Sequence, residues 1–84
     1  MYRLEIRKSA VKELEKVSKV YYKSIRAAIC ELEDDPRPNG CKKLHGTDDL
    51  YRIRVGMYRI VYTIQDTVLY IEIIKIGHRK DIYE

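Results

Sequence analysis

Cysteine is scarce in this sequence, and its two cysteines form no metal-binding pattern. Cys30 and Cys41 stand apart from each other and from any histidine cluster, whereas zinc ligands usually occur as closely spaced cysteine and histidine pairs. The sequence therefore predicts no metal ion and no cofactor. Two isolated cysteines also give no sign of an oxidising compartment. Cys30 falls within a helical pattern, where we expect it to be a small core residue.

Long apolar runs are absent as well. No segment approaches the length needed to cross a bilayer, and the N-terminal residues lack the pattern of a secretory signal peptide. The sequence also has no internal repeat, low-complexity segment or domain boundary. It thus predicts one domain over residues 1–84, located in the cytoplasm and not associated with a membrane.

Positive charge is what the chain has in excess. Lysine and arginine number 17 against 13 aspartate and glutamate, which gives a net charge of +4, and charged residues make up 36% of the chain. A small basic domain indicates an anionic partner, either nucleic acid or an acidic protein. Net charge alone does not distinguish these two classes.

The clearest motif is a predicted β-hairpin at residues 50–62. Apolar and basic side chains alternate in its first half, as in a half-buried strand, and a second run of strand-forming residues follows a Gly-Met loop. Gly56 suits a type II′ turn, because glycine accepts the positive φ that the first loop position requires. A two-residue loop fixes the register and places Arg54 opposite Arg59. One face is then apolar and consists of Tyr51, Ile53, Val55, Tyr58, Ile60 and Tyr62.

The opposite face of this hairpin carries three arginines, Arg52, Arg54 and Arg59. Like charges directly opposite each other destabilise a sheet, so stability alone would favour an acid at one of these positions. Guanidinium groups that converge on a rigid hairpin are suited to binding phosphate. The alternative interpretation is a solvated basic face without a ligand.

The segment before the hairpin predicts a strand, two helices and a loop. Residues 2–7 alternate as a short strand, and Ser9 and Ser18 are plausible N-caps of two amphipathic helices joined by a short link. The second helix should end near residues 34–35, because the following proline disfavours helix in the residue before it. The loop that follows should place three basic residues beside the arginine hairpin, namely Lys42, Lys43 and His45.

The last predicted strand covers residues 68–77. If its first residue pairs with Gln65, Ile71 and Ile73 face the core, while Ile76 faces the arginines and Glu72 lies diagonally from Arg59, close enough for a salt bridge. A bend at a glycine should then carry the end of the chain towards the arginine cluster. The bend is predicted at Gly77, and the residues it should bring to the cluster are His78, Arg79 and Tyr83.

These elements predict an α+β fold: an N-terminal strand, a helical hairpin and a three-stranded antiparallel meander, with the helices on one face of a small four-stranded sheet. The order resembles the RelE/ParE superfamily of bacterial and archaeal toxins. The resemblance rests on KLHG at 43–46, LYRIRVGMYRIVY at 50–62 and IGHRKDIY at 76–83, in the same order and spacing. Together these segments make the match far more specific than any one of them.

The resemblance implies the toxin of a type II toxin–antitoxin system that acts as a metal-independent endoribonuclease. RelE-like members cut mRNA in the ribosomal A site by attack of the ribose 2′-OH on the neighbouring phosphate. The implied partners are therefore the ribosome, mRNA and an acidic RelB-like antitoxin. The family's catalytic positions match Arg52, Arg54, Arg59, Arg79 and Tyr83. A basic residue commonly occupies the position of His45.

The identity of the general base stays open at this point. The best-understood ribosome-dependent members have lysine at the positions of Arg52 and Arg54, and arginine does not readily give up a proton. His78 is a candidate because the pKa of an unperturbed histidine lies near neutrality, and His45 is the second. The arginine at position 59, together with Arg79 and the tail tyrosine, favours the nuclease over a ParE-like toxin that inhibits DNA gyrase without cutting RNA. A third alternative is a binding module without toxicity, and an adjacent antitoxin gene would favour either toxin over it.

Overall fold

The computed structural model describes residues 1–44, 46 and 49–81, with side chains up to Lys80. The regular elements are β1 Arg3–Ile6, α1 Lys8–Glu15, α2 Lys19–Glu31, β2 Lys42–Lys43, β3 Leu50–Val55, β4 Tyr58–Gln65 and β5 Tyr70–His78. Within the described residues a five-stranded mixed sheet has the order β1-β5-β4-β3-β2, in which β1 runs parallel to β5 and all other neighbours are antiparallel. A 3₁₀ turn precedes β5 and another follows it.

The predicted α+β order is confirmed, but the sheet has five strands rather than four. The additional strand is β2, in which Lys42 pairs with Arg52 and Lys43 pairs with Tyr51. This pairing lies in the segment that the sequence predicted as loop. A strand of two residues carries no alternation of its own, so only its docking against β3 reveals it.

The two helices begin differently from each other. Ser18 caps α2 as predicted, since its Oγ accepts a hydrogen bond from the Val20 N–H at 3.4 Å. The predicted cap at Ser9 is wrong, because α1 already begins at Lys8, after Arg7, whose side chain makes no capping bond. Helix α2 ends at Glu31, and a turn continues the chain to Asp34, whose N–H donates to the Glu31 carbonyl.

Both helices bury their apolar stripes against the same face of the sheet. The predicted apolar face of the hairpin is confirmed, with Ile53, Ile60 and Tyr62 fully part of this core. Cys30 is exposed, so its predicted core position is wrong. The other buried residues of the core are Ala10, Leu14, Val17, Ile25, Ile29, Leu32, Ile64, Ile71, Ile73 and Ile76.

The register of β5 differs from the prediction because the turn before it has four residues, Asp66 to Leu69, instead of two, and because a β-bulge lies further along the strand. Gln65 pairs with Tyr70 rather than with Val68, and the pairing shifts between Val61 and Tyr62, where Ile74 is the extra residue on β5. The bulge returns Ile76 to the core, whereas the sequence had placed it among the arginines.

The salt bridge predicted between Glu72 and Arg59 is also wrong. Glu72 lies opposite Thr63, and its carboxylate accepts from the Arg7 guanidinium at 3.2 and 3.3 Å. A residue that follows β1 thus neutralises this acid, at a distance from the arginine hairpin.

The segment before β2 is held to the sheet at the end remote from the hairpin turn. Arg37 forms an ion pair with Asp66 at 2.9 Å, and its guanidinium stacks over the Tyr51 ring at 5.0 Å. The buried hydroxyl of Tyr62 donates to the Pro36 carbonyl at 2.7 Å, and burial raises the pKa of this phenol. These contacts fix the chain that leads into Lys42 and so set the position of β2.

Neither helix among the described residues is long and apolar enough to cross a membrane; the longer one, α2, has 13 residues.

Candidate active site

The turn of the β3–β4 hairpin sets the geometry of the site. Gly56 has a φ of +57°, as a type II′ turn requires, and a Cβ at this position would collide with the ring of Tyr21 on α2. Every predicted hairpin pair is confirmed, from Val55 with Tyr58 at the turn to Tyr51 with Tyr62. The hairpin is therefore held in register by its turn and against the helices by its apolar face.

Arg54 and Arg59 lie directly opposite each other, one pair beyond the turn. In a two-residue hairpin the pair that closes the turn is hydrogen-bonded, so this next pair is of the non-hydrogen-bonded kind, with Cα atoms about 4.5 Å apart and side chains close together. Arg54 is exposed, whereas Arg59 is half-buried and donates from Nη1 to the Tyr58 carbonyl at 3.4 Å. Gly77 of β5 lies opposite Arg59 on its other side.

Arg52 differs from the other two arginines because it is buried, at 3% exposure. It lies two residues from Arg54 on β3 and opposite Val61 of β4. Arg52 and Arg54 both line a cavity of about 590 Å³ between α2 and the edge of β3. The remaining lining residues are Ala28, Glu31, Pro38, Asn39, Gly40, Cys41, Lys42 and Ile53.

The two lysines of β2 lie beside the arginines, as the sequence predicted. Lys42 is opposite Arg52 and therefore belongs to the same face of the sheet, while Lys43 is opposite Tyr51 and belongs to the face towards the helices. Both lysines are exposed. The structure thus brings Lys42, Arg52, Arg54 and Arg59 together on one face, and leaves Lys43 at its margin.

Sequence reasoning missed that Lys75 also belongs to this face. It lies opposite Val61, in the same row across the sheet as Arg52. The signal was present in the sequence, because two adjacent isoleucines, Ile73 and Ile74, interrupt the alternation of β5 and mark a bulge. A strand read with unbroken alternation places this lysine on the wrong face.

The structure does not bring His78 to the arginines, so the expected bend at Gly77 is wrong. Gly77 remains in β5, and alternation turns the next residue to the helix side, opposite Tyr58. The His78 ring packs edge-on against the Tyr58 ring, with centroids 5.8 Å apart. It lines a separate cavity of about 410 Å³ together with Glu13 and Lys16 of α1 and its C-terminal link.

The chain turns after β5 rather than within it. The N–H of Arg79 donates to the Met57 carbonyl in the hairpin turn at 2.8 Å, and the Arg79 side chain is exposed. This bond brings the backbone of the tail to the end of the arginine hairpin. Two further predicted site residues, His45 and Tyr83, lie outside the described residues.

The described side chains, up to Lys80, include no group of three or more histidine, cysteine, aspartate or glutamate residues placed to hold a metal ion. The arginine face itself supplies fixed positive charge. Arginine offers paired N–H donors that match the oxygens of a phosphate, and it stays charged at any physiological pH.

The fold has counterparts among known proteins. The crystal structure of the archaeal RelE–RelB complex from Pyrococcus horikoshii OT3 contains a chain that superposes with a TM-score of 0.83, at 35% identity over 96% of this chain and 98% of that one. Toxin RelE3 of Methanocaldococcus jannaschii is 35% identical over 92% of this chain and 90% of its own length. The mRNA interferase toxin RelE of Escherichia coli K12 is 28% identical over 94% and 84%.

A family model gives the same assignment from the sequence. Residues 4–83 match the model described as the ParE toxin of the type II toxin–antitoxin system parDE. This match spans both helices, the arginine hairpin and β5. The chain belongs to the RelE/ParE superfamily of type II toxin–antitoxin toxins.

Proposed function

We propose that this toxin is an endoribonuclease that cuts mRNA in the ribosomal A site, through attack of a ribose 2′-OH on the adjacent phosphate and without a metal. The observation that carries the proposal is the facing pair Arg54 and Arg59, with Arg52 and Lys42 behind it on the same face. Such a pair costs the free protein stability and is suited to a bound phosphate. A relative of the same fold is named an mRNA interferase.

The roles of the arginines follow from the charge that the reaction develops. In-line attack at phosphorus builds negative charge on the equatorial oxygens, and fixed guanidinium groups stabilise that charge without reorganising. We assign Arg59 and Arg54 to the scissile phosphate and Arg52 to the adjacent backbone. Arg79, whose backbone is tied to the hairpin turn, is assigned to the leaving 5′-oxygen.

The remaining roles concern the attacking hydroxyl. Tyr83 is proposed to stack on a base or to orient the 2′-OH. His78 packs against Tyr58 on the helix side, so of the two histidines we retain His45 as the candidate general base. Charge stabilisation by the arginines then supplies the larger share of the rate.

The second candidate function is inhibition of DNA gyrase without cleavage of RNA. Its support is the family model, which describes a ParE toxin. The fold is shared by both kinds of toxin, so the choice depends on the site alone. The arginine face and Arg79 favour the nuclease.

The experiment that separates the two functions is pulse labelling after controlled expression in bacteria. We expect methionine incorporation to collapse before thymidine incorporation, and we expect Arg59→Ala to abolish this early effect. If DNA synthesis fails first, the gyrase function replaces the nuclease function.

We also propose that an acidic, RelB-like antitoxin silences the arginine face. One relative of the same fold was solved as a RelE–RelB complex. Complementarity to a net charge of +4 predicts acidic residues in the segment that covers the arginines. The association rate with the product of a neighbouring gene should fall as salt rises, because steering is screened over about 8–10 Å at ordinary ionic strength. An association rate that does not change with salt would show that the antitoxin does not neutralise the toxin by binding the arginine face through charge.

A further inference from the structure

We infer that Lys75 is a binding residue for an RNA backbone phosphate beside the one that Arg54 and Arg59 hold. This inference rests on the proposed nuclease function and extends its site across the sheet to β5. Its basis is a register shift: the bulge at Ile74 places Lys75 opposite Val61, on the face of the arginines. Without that bulge the same lysine would point towards the helices.

The bulge completes a band of positive charge across four strands. Lys42 on β2, Arg52 and Arg54 on β3, Arg59 on β4 and Lys75 on β5 all belong to one face. Neighbouring strands lie about 4.8 Å apart, so the band runs roughly perpendicular to the strands. A single RNA strand that follows this band meets Arg59 at its centre. Its flanking phosphates then lie towards β3 on one side and β5 on the other.

Lys75 is available for such a contact. Its side chain is exposed, and it makes no ion pair with any residue in the described part of the chain. Glu72, three residues earlier on β5, is paired with Arg7, and Glu13, which lines the same cavity as Lys75, accepts the Ile76 N–H at 2.9 Å. Strand β1 ends at Ile6, opposite Ile73, so no neighbouring strand covers the outer side of Lys75.

The local chemistry also favours an anion over a protein cation or an apolar partner. At the open edge of β5, Lys75 also lines the cavity that lies towards α1, together with a second lysine, Lys16, with His78 and with Glu13, the only acid among its lining residues. Lysine binds phosphate as a flexible point charge, which suits a flanking contact better than the fixed geometry of a reacting centre. We therefore expect Lys75 to contribute to binding and not to the chemical step.

The test compares three variants of the whole protein: Lys75→Ala, Lys75→Arg and the control Lys23→Ala. Lys23 is an exposed residue of α2, which packs on the other face of the sheet, and its replacement removes the same charge. Cleavage is measured on ribosomes programmed with a short mRNA. Binding is measured separately on the same single-stranded RNA with a 2′-deoxy residue at the cleaved position, so that no variant cuts it.

We expect Lys75→Ala to raise KM about two- to fivefold with kcat unchanged, and to weaken RNA binding by a similar factor. The dependence of log Kd on log salt concentration should become shallower by about 0.7, the loss of one phosphate contact on a single strand. Lys75→Arg should behave as wild type, and Lys23→Ala should change neither the KM nor this salt dependence. An effect on ribosomes alone assigns the phosphate to ribosomal RNA, and an effect in both assays assigns it to mRNA.

Several outcomes would overturn the inference. An unchanged KM and salt dependence in Lys75→Ala would make Lys75 a solvated surface residue, and equal effects of the Lys23 and Lys75 variants would reduce the effect to net charge. A fall in kcat alone would assign Lys75 to the chemistry. Weaker binding of a polyglutamate peptide without weaker RNA binding would assign it to a protein partner. If the wild-type protein binds RNA but cuts nothing, the nuclease function fails, while the binding arm still decides the role of Lys75.

Discussion

Arg54 of β3 and Arg59 of β4 face each other across the hairpin in a non-hydrogen-bonded pair, one step from a turn that Gly56 fixes. This relationship places the Cα atoms of two arginines at the closest spacing that paired residues of neighbouring strands adopt. The rest of the fold holds them there, since the opposite face of the hairpin is buried under both helices. Two consequences follow, one for stability and one for activity.

Replacing Arg59 by alanine should abolish most of the RNA cleavage. A fixed donor to a developing phosphoryl charge contributes about 10²–10³ in rate, so kcat should fall by that factor. The measurement is single-turnover cleavage on programmed ribosomes. Because Arg59 is half-buried, the thermal unfolding of the variant must be measured together with its cleavage activity. A variant that loses activity only because it unfolds would count against the assignment.

Replacing Arg54 by alanine should leave the free protein as stable as before, or more stable by a few tenths of a kcal/mol, because it relieves a like-charge pair. The gain should shrink as salt rises, since screening weakens the repulsion. Urea unfolding at low and high salt measures both effects. A clear loss of stability on this substitution would contradict the prediction. It would show that Arg54 stabilises the fold and does not lower its stability through repulsion by Arg59.

Replacing Arg52 by alanine should behave differently from its neighbour. Arg52 is 3% exposed and interacts with its surroundings, so replacing this buried side chain should lower the free energy of unfolding by about 1–3 kcal/mol. The matched control is Arg54→Ala on the same strand, two residues away. Equal urea midpoints for the two variants would contradict the distinction between a buried and an exposed arginine.

The hairpin was accessible from sequence because its turn is local. A Gly-Met loop between two alternating runs leaves one register, and that register placed Arg54 opposite Arg59 correctly. The bulge at Ile74 was not accessible by the same reasoning, because unbroken alternation was assumed along β5. That one extra residue moved Ile76 and Lys75 to the opposite faces of the sheet, whereas Glu72 was misplaced because the turn before β5 has four residues instead of two.

The burial of Arg52 and the pairing of Lys42 with β3 could not be predicted from the sequence for another reason. Both depend on where the loop before β2 lies, and contacts distant in sequence decide that position. Arg37 reaches Asp66 and Tyr62 reaches Pro36 across long stretches of chain. Such contacts leave no periodic pattern in the residues that make them.

The ion pair between Arg37 and Asp66 predicts a pH dependence of stability. Bonds from the Arg37 guanidinium, and then from the Tyr2 hydroxyl, lower the pKa of Asp66 to about 2. A carboxyl whose pKa is lowered by folding stabilises the protein above its unfolded pKa, about 3.9, and loses that contribution as the pH falls towards 2. The stability difference between the wild type and Asp66→Asn should be constant above about pH 5 and shrink below about pH 4.

Urea unfolding of both proteins across this range measures the difference directly. A gap that stays constant down to about pH 2 would show that the carboxylate does not hold the segment before β2. A gap that closes already near neutral pH would assign the dependence to another group.

The central claim is that the arginine face promotes attack of the RNA's own 2′-hydroxyl on the adjacent phosphate. One substitution in the substrate tests this claim most directly. Ribosomes are programmed with an mRNA that carries a 2′-deoxy residue at the cleaved position, and cleavage is compared with that of the all-ribose mRNA. We expect the toxin to cut only the ribose form and to leave a 2′,3′-cyclic phosphate, with Arg59→Ala inactive on both. Equal cleavage of the two substrates, or no cleavage of either by the folded wild-type protein, would contradict the claim.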